Sequence, residues 1–273
     1  MTAEHDKAHA YRIKPNEKVD LSTIDPKDTS GIGDADKAHS ILASTIEEIN
    51  ILQDRLYAEG KHSLLVILQG MDTSGKDGTV RGVFNATGPM GVTVQPFRKP
   101  CGEELMHDYL WRAHLAAPRK GTIGIFNRSH YEDVLIAKVR KLAPHSELEN
   151  RYEQINAFEK MLVENGTVIV KFMLHISKAE QGKRLQERLD DPDKRWKFQA
   201  ADLDDHKDWK EYMHAYETML ERCSTPHAPW HVIPSDHKWA RNVAVANIVR
   251  DALQQLDPQY PQPDWKPSDF VID

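Results

Sequence analysis

The stretch LLVILQGMDTSGKDGTV, Leu64 to Val80, joins an apolar run to a glycine-rich loop and a lysine. Gly70, Gly75 and Lys76 have the spacing of the phosphate-binding pattern G-x-x-x-x-G-K-[ST]. In such a loop, backbone around Thr73, Ser74, Gly75 and Gly78 curls about phosphate oxygens, the helix start adds a positive dipole end, and the lysine follows a transferring phosphoryl group. Two acids depart from the pattern: Asp72 lies inside the loop, and Asp77 stands where a hydroxyl is usual. A carboxylate beside phosphate oxygens is repelled unless a divalent cation lies between them. Asp72 is therefore read as a ligand of magnesium, with manganese as an alternative metal, or as an acceptor that orients the attacking group. Asp77, in the first helical turn, either complements the dipole or binds phosphate through water.

A second constellation is IFNRSHYEDV, Ile125 to Val134. It follows an apolar run, at the place where the carboxyl edge of a parallel sheet receives ligands. Arg128 is suited to neutralising charge at a transferring group, while Asn127 and Glu132 are suited to binding nucleotide, water or metal. Ser129 and Glu132 also form an S-x-x-E pattern, which needs only a helix-capping role. In KRLQERLDD, Arg184 and Arg188 stand i and i+4 on one helical face, as phosphate-binding arginines or as members of a solvated charged face. Arg98 and Lys99 after the second apolar run, and Arg81 in the first helix after the loop, are further candidates for an anion path. Arg112, Arg119 and Lys120 are weaker ones. His130 and His175 lack a paired acid or nucleophile at useful spacing and are read as packing residues.

The elements that must position these groups alternate. Five apolar runs, at 64–68, 92–97, 122–126, 167–174 and 230–233, are separated by helical patterns. Strands alternating with helices imply parallel pairing and right-handed crossovers, and continuously apolar runs imply a sheet covered on both faces. The expectation is one three-layer α/β/α domain with a five-stranded parallel sheet, spanning residues 36–258. An amphipathic helix from Asp36 to Ala58, stopped by Gly60, precedes the strands, and the helix after the loop is expected from Lys76 to about Ala86. Residues 1–35 form a polar extension, 259–273 a proline-rich tail carrying Tyr260, Trp265 and Phe270, and the charged segment at about 184–210 is long enough for a lid.

The net charge is −6, yet residues 61–150 carry an excess of +3 against −5 before them and −4 after them. The basic excess thus falls on the segment with the glycine-rich loop, as an anionic ligand favours. The acidic total and the lack of a reading motif argue against nucleic acid. No run is long enough to span a bilayer and the N-terminus has no apolar signal core, so a cytoplasmic chain is expected. Cys101 and Cys223 lack metal or disulfide spacing.

Together, GMDTSGKDGTVR (70–81), FNRSHYEDVL (126–135), RWKF (195–198) and APWHVIPSDHKWARN (228–242) resemble the family-2 polyphosphate kinases over roughly residues 35–258. The resemblance implies a P-loop kinase-like fold with a helical lid, and magnesium-assisted reversible transfer between inorganic polyphosphate and AMP, ADP or ATP. It implies Asp72 as a catalytic and metal-associated residue, Lys76 at the phosphates, Arg128 as functional, and a lid arginine at Arg184 or Arg188. It also implies a homo-oligomer, dimer or tetramer. Many members carry Asp at the position of Asn127 and Asn at that of Glu132; with the reverse, this chain is similar to the subgroup accepting both nucleoside mono- and diphosphates. Two other readings compete, an ATP-dependent nucleotide or nucleoside kinase and a noncatalytic polyphosphate or nucleotide sensor. The missing hydroxyl after Lys76 weighs against the first, because that group normally helps hold magnesium.

Overall fold

Strand β1 (Ser63–Gln69) is buried along its whole length, and its alternate side chains enter two different cores. Leu65 and Ile67 pack in one cluster, while Leu64, Val66 and Leu68 pack in the other. A strand apolar on both faces belongs in the middle of a covered sheet, and the computed structural model, which describes residues 11–270 and 272, places it there. The sheet also contains β2 (Val92–Pro96), β3 (Ile123–Asn127), β4 (Thr167–His175) and β5 (Trp230–Pro234), in the order β2-β3-β1-β4-β5. All pairings are parallel; Leu68 aligns with Asn127 of β3 and with Phe172 of β4. The five expected strands and three layers are thus present.

Helices α1 (Ala35–Glu59), α2 (Lys76–Val83) and α9 (Lys238–Leu256) cover one face. The other face carries α5 (His145–Glu164) and α8 (Trp209–Cys223). Short helices α3 (Trp111–Ala116) and α4 (Ile136–Val139) lie in the connections around β3, and α6 (Lys178–Asp190) and α7 (Ala201–Lys207) in the β4–β5 connection. Helix α1 starts where the Asp34 side chain accepts from the Lys37 N–H at 2.9 Å, and stops at Gly60, whose φ of 66° is the left-handed cap that glycine adopts without strain. Helix α2 is shorter than expected, ending at Val83. Thr87 turns its hydroxyl onto the Phe84 carbonyl at 2.7 Å, tying the chain into a turn instead of another helical residue.

Residues 1–10 of the N-terminal extension lie outside the described residues. From Tyr11 onward the segment runs beside edge strand β5: Arg12 forms an antiparallel bridge with His231, and the Ile13 N–H donates to Trp230 O at 2.9 Å. Ile13, Val19 and Leu21 are buried in the same cluster as Trp230 and Val232 of β5, so this stretch covers the sheet edge, while Ile32 packs with Ala38 of α1 and Ala240 and Val243 of α9. In the tail, the Tyr260 hydroxyl donates to Asp54 at 2.6 Å, while Trp265 and Phe270 meet edge to face. Among the described residues, no helix is long and apolar enough to cross a membrane.

One polar group sits inside the α5/α8 core. Lys171 Nζ donates to Glu159 Oε2 at 2.5 Å, to the Tyr131 hydroxyl at 2.8 Å and to Cys223 O at 2.8 Å, and all these side chains are fully buried. The neighbouring His130 ring lies between Tyr131 and Phe158, with Nε2 3.5 Å from Glu159. The packing role expected of His130 is thus what the structure gives it. His175 is likewise buried, with Nε2 3.0 Å from Ile24 O. Removing one member of a buried ion pair strands the other charge. Glu159→Ala is expected to lower unfolding free energy by about 3–5 kcal/mol, and the double change Glu159→Leu with Lys171→Met by clearly less, both measured by urea denaturation.

Candidate active site

The strand order decides where a ligand fits. The chain leaves β1 toward β2 and leaves β4 toward β5, in opposite directions along the sheet, so a crevice opens past the carboxyl ends of β1 and β4. The loop 70–76 fills the mouth of that crevice. Gly70 has φ 146°, and a Cβ there would stand 2.7 Å from Leu174 O, so only glycine lets the loop turn this closely over β4. Thr73 pays a cost in backbone strain at φ 65°, and Gly75, at φ 108°, starts α2.

Each carbonyl of the loop has a donor. Lys76 Nζ reaches back to Gly70 O at 2.7 Å and Met71 O at 3.2 Å. Gln181 donates to Asp72 O at 3.3 Å, Arg184 to Thr73 O at 3.0 Å, and Arg241 to Ser74 O at 3.2 Å. The Gly75 carbonyl accepts from Thr79 N at 2.8 Å. The first N–H groups of α2 have no intrahelical acceptors, so this end of the loop is a ready-made anion site.

At the tip of β3, Arg128 takes φ 60° with its N–H donating to Leu68 O at 3.0 Å. This strained backbone aims the guanidinium across β1. Nη2 donates to Asp72 Oδ1, and Nη1 lies 4.0 Å from Glu132 Oε2. Burial raises the Asp72 carboxyl, but Arg128 and Lys76 outweigh it and hold the group below the usual carboxylate range. For Arg128, burial is overcome by Glu132 and Asp72, which push its pKa up and keep it charged. Ser129 accepts from Tyr131 N at 3.1 Å, capping the single 3-10 turn His130–Asp133. Glu132 faces Arg128 and does not return to the Ser129 N–H, so the expected capping box is only half formed.

Asp77 also gains definite partners. Its Oδ1 accepts from Asn127 Nδ2 at 2.8 Å, and its Oδ2 lies 3.5 Å from Lys197 Nζ. The segment between α6 and α7 therefore folds back to meet the first turn of α2. Arg188 lies behind this contact, 3.4 Å from Asp202 Oδ2. Burial and the charge of Asp72 both raise the Asp202 carboxyl, and the charge of Arg188 acts on both acids.

The remaining sequence candidates divide. Lys76, Asp72, Asp77, Asn127, Arg128, Glu132 and Arg188 converge on the crevice, whereas the Thr73 hydroxyl donates to Gln181 O at 3.5 Å and Ser74 is fully buried. Arg184 faces the opposite way: it is bound to Glu180 and to the carbonyls of Thr73, Ser235 and Asp236, which makes it a brace beneath the loop. Arg81, Arg98 and Lys99 are exposed, and Arg112 holds the Arg98 carbonyl at 2.7 Å. Gly78 lies against Arg241. Sequence reasoning missed Gln181, Lys197, Asp202 and Arg241. Arg241 and Lys197 did lie within quoted blocks, KWARN and RWKF, but nothing in their spacing distinguishes them from surface charges.

The model of the family "Polyphosphate kinase 2" matches residues 33–261. The chain belongs to the polyphosphate kinase 2 family. It is 49% identical over 264 residues to the AMP/ADP-polyphosphate phosphotransferase of Meiothermus ruber, covering 96% of this chain and 99% of that one. To the ADP-polyphosphate phosphotransferase of Rhodopseudomonas palustris it is 39% identical, covering 94% and 93%. The crystal structure of polyphosphate kinase 2 from Arthrobacter aurescens TC1 superposes with a TM-score of 0.93 at 43% identity, covering 96% of this chain and 94% of that one.

Lys76 gives the site a pH dependence. Burial, reinforced by Arg128, brings its amine from 10.5 down to about 8 against the pull of Asp72, Glu132 and Asp77. Affinity for inorganic tripolyphosphate is expected to fall as pH rises through about 8, with Lys76→Arg removing that step in calorimetric titrations. Stability has the opposite sign, because the unfolded chain keeps this proton up to 10.5. The contribution of Lys76 to unfolding free energy therefore rises with pH between about 8 and 10.5.

Proposed function

We propose that this protein transfers a phosphoryl group between inorganic polyphosphate and AMP or ADP, in either direction. The observation that carries this reading is the Arg128–Asp72 contact at the mouth of a phosphate loop whose lysine is buried beside it. A loop that only bound phosphate would have no use for an arginine and an acid poised together over its open face. Phosphoryl transfer needs both, one to offset charge on the equatorial oxygens and the other to organise the acceptor end. The names of relatives spanning nearly the whole chain point to polyphosphate as donor, which weighs against the ATP-dependent kinase and the sensor.

The loop N–H groups and Lys76 hold the end of the donor chain. Arg128 and Arg188 then neutralise the group in transit, exchanging a carboxylate partner for phosphate oxygens, and the lid excludes water as it seats on Asp77. Of the two lid arginines, the reading takes Arg188, since Arg184 is occupied beneath the loop. Asp72, with Glu132 nearby, would hold magnesium, or manganese in its place. Among the described residues there is no cluster of three or more His, Cys, Asp or Glu able to hold a metal unaided. That fits an ion bound by one or two carboxylates with phosphate oxygens and water completing its shell. Such an ion supplies charge neutralisation between donor and acceptor oxygens. Self-association and residence in the cytoplasm belong to the same proposal; the two free thiols support the latter.

With AMP or ADP, magnesium and polyphosphate, purified protein is expected to form product that it does not form when ATP replaces polyphosphate as donor. Product from ATP alone would favour the ordinary kinase, and binding without turnover the sensor. Asp72→Asn should cut turnover by roughly a hundredfold or more with the circular dichroism spectrum unchanged. Full activity in that variant would remove Asp72 from the mechanism.

The acceptor range rests on a smaller feature. Asn127 donates to Asp77, so an aspartate at 127 would set two carboxylates against each other at the start of α2. Exchanging Asn127→Asp with Glu132→Asn is expected to lower the rate with AMP relative to ADP. An unchanged ratio in initial-rate assays would separate these residues from acceptor choice.

A further inference from the structure

Arg241 lies in the first turn of α9 and is 2% exposed. Its guanidinium sits directly under the phosphate loop. Nη1 donates to Ser74 O at 3.2 Å, and a Cβ on Gly75 would stand 1.7 Å from that nitrogen. The other donors reach only the neutral Asn242 Oδ1, at 3.1 and 2.8 Å. Among the described residues Arg241 forms no ion pair. The charge beside it is Arg184, whose own carboxylate, Glu180, is bonded at Nε on its far side. The contrast within one structure is plain. The fully buried Lys171 has Glu159, and Arg112 has Glu104 and Asp133.

A buried cation without a counter-charge is costly, and two further features add to the cost here. A positive side chain in the first turn of a helix opposes the dipole of α9, and the guanidinium also lies under Gly75, where α2 begins with its own positive end. Burial and Arg184 accordingly lower the Arg241 pKa to about 10, with no acid offsetting them. A brace for Ser74 O would not require a charge, since a neutral donor can make that bond.

We propose that Arg241 is a positioning residue for the polyanionic substrate. Its counter-charge is the phosphate held on the opposite side of the loop, and the loop backbone transmits the interaction without direct contact. This inference rests on the polyphosphate reading above. It predicts that the residue is unfavourable to the protein alone and favourable to the complex.

The test compares two variants of the full chain. Arg241→Lys retains the charge, and Arg241→Gln retains a donor toward Ser74 while removing it. Calorimetric titration with inorganic tripolyphosphate, without nucleotide, measures affinity, and thermal melting without added ligand measures stability. Arg241→Gln is expected to weaken tripolyphosphate binding roughly tenfold or more while its melting temperature stays level or rises, and Arg241→Lys should recover most of the affinity. Equal affinity in Arg241→Gln and the parent, or equal losses in both variants, would overturn the proposal and leave Arg241 a brace defined by shape. If Arg241→Gln does not fold, Arg241→Met with Asn242→Ala, which removes charge and polar partner together, gives the same comparison against Arg241→Lys. Failure of the parent protein itself to bind tripolyphosphate would instead count against the polyphosphate reading.

Discussion

The site depends on the capture of the loop's carbonyls from behind. A glycine-rich turn offers N–H and C=O groups in equal number, and it binds anions only when the oxygens are turned away and kept there. Here the oxygens of residues 70 to 74 are held by Lys76, Gln181, Arg184 and Arg241, contributed by α2, α6 and α9. Three of those four donors are charged, so the same groups that orient the backbone also make the region beneath it positive. The loop is therefore a surface whose polarity is fixed largely by side chains far away in sequence, brought beneath it by the crossovers that set α6 and α9 beside the carboxyl ends of β1 and β4.

The open side of the loop follows a different rule. Arg128, Arg188 and Lys197 each face a carboxylate: Asp72, Asp202 and Asp77. Every one of these pairs links separate elements: β3 to the loop, α6 to α7, and the lid to α2. On the proposed reading, a phosphate chain entering the crevice would compete for Arg128 and Arg188 against acids already in place, so the net gain would be smaller than bare charges give. Exchange between two partners of like sign also lets the arginines release product, which a reversible transfer requires. The separation of roles is physical: behind the loop Arg241 carries a charge without a carboxylate partner, whereas the cations in front are each paired.

Much of this was legible in the chain. Continuous apolar runs identified the covered parallel sheet, and Gly70, Gly75 and Lys76 identified the loop, because each of those signals is local. Asp72 and Arg128 were also readable, being acids and bases placed at strand ends. The division between Arg184 and Arg188 was not, since helical spacing places both on one face and says nothing about which meets the back of the loop and which the crevice. Arg241 was invisible for the same reason: its significance lies in what it lacks, a carboxylate within reach, and only the folded arrangement displays that. The extension after Tyr11 was underestimated because its apolar residues, Ile13, Val19 and Leu21, follow no period and acquire meaning only against the β5 edge.

Asp77 occupies the position that ordinarily holds a hydroxyl, and its partners account for the exchange. A serine or threonine there would point at a metal ion, whereas this aspartate accepts from Asn127 on one side and approaches Lys197 on the other. Burial works against its ionisation, but the Asn127 hydrogen bond and Lys197 keep its pKa below the usual range. The carboxylate thus joins the β3 tip and the lid at the first turn of α2, where negative charge is favourable in any case. Residue 127 cannot be charged independently of residue 77, so the asparagine at the strand tip and the aspartate after the lysine are two halves of one choice.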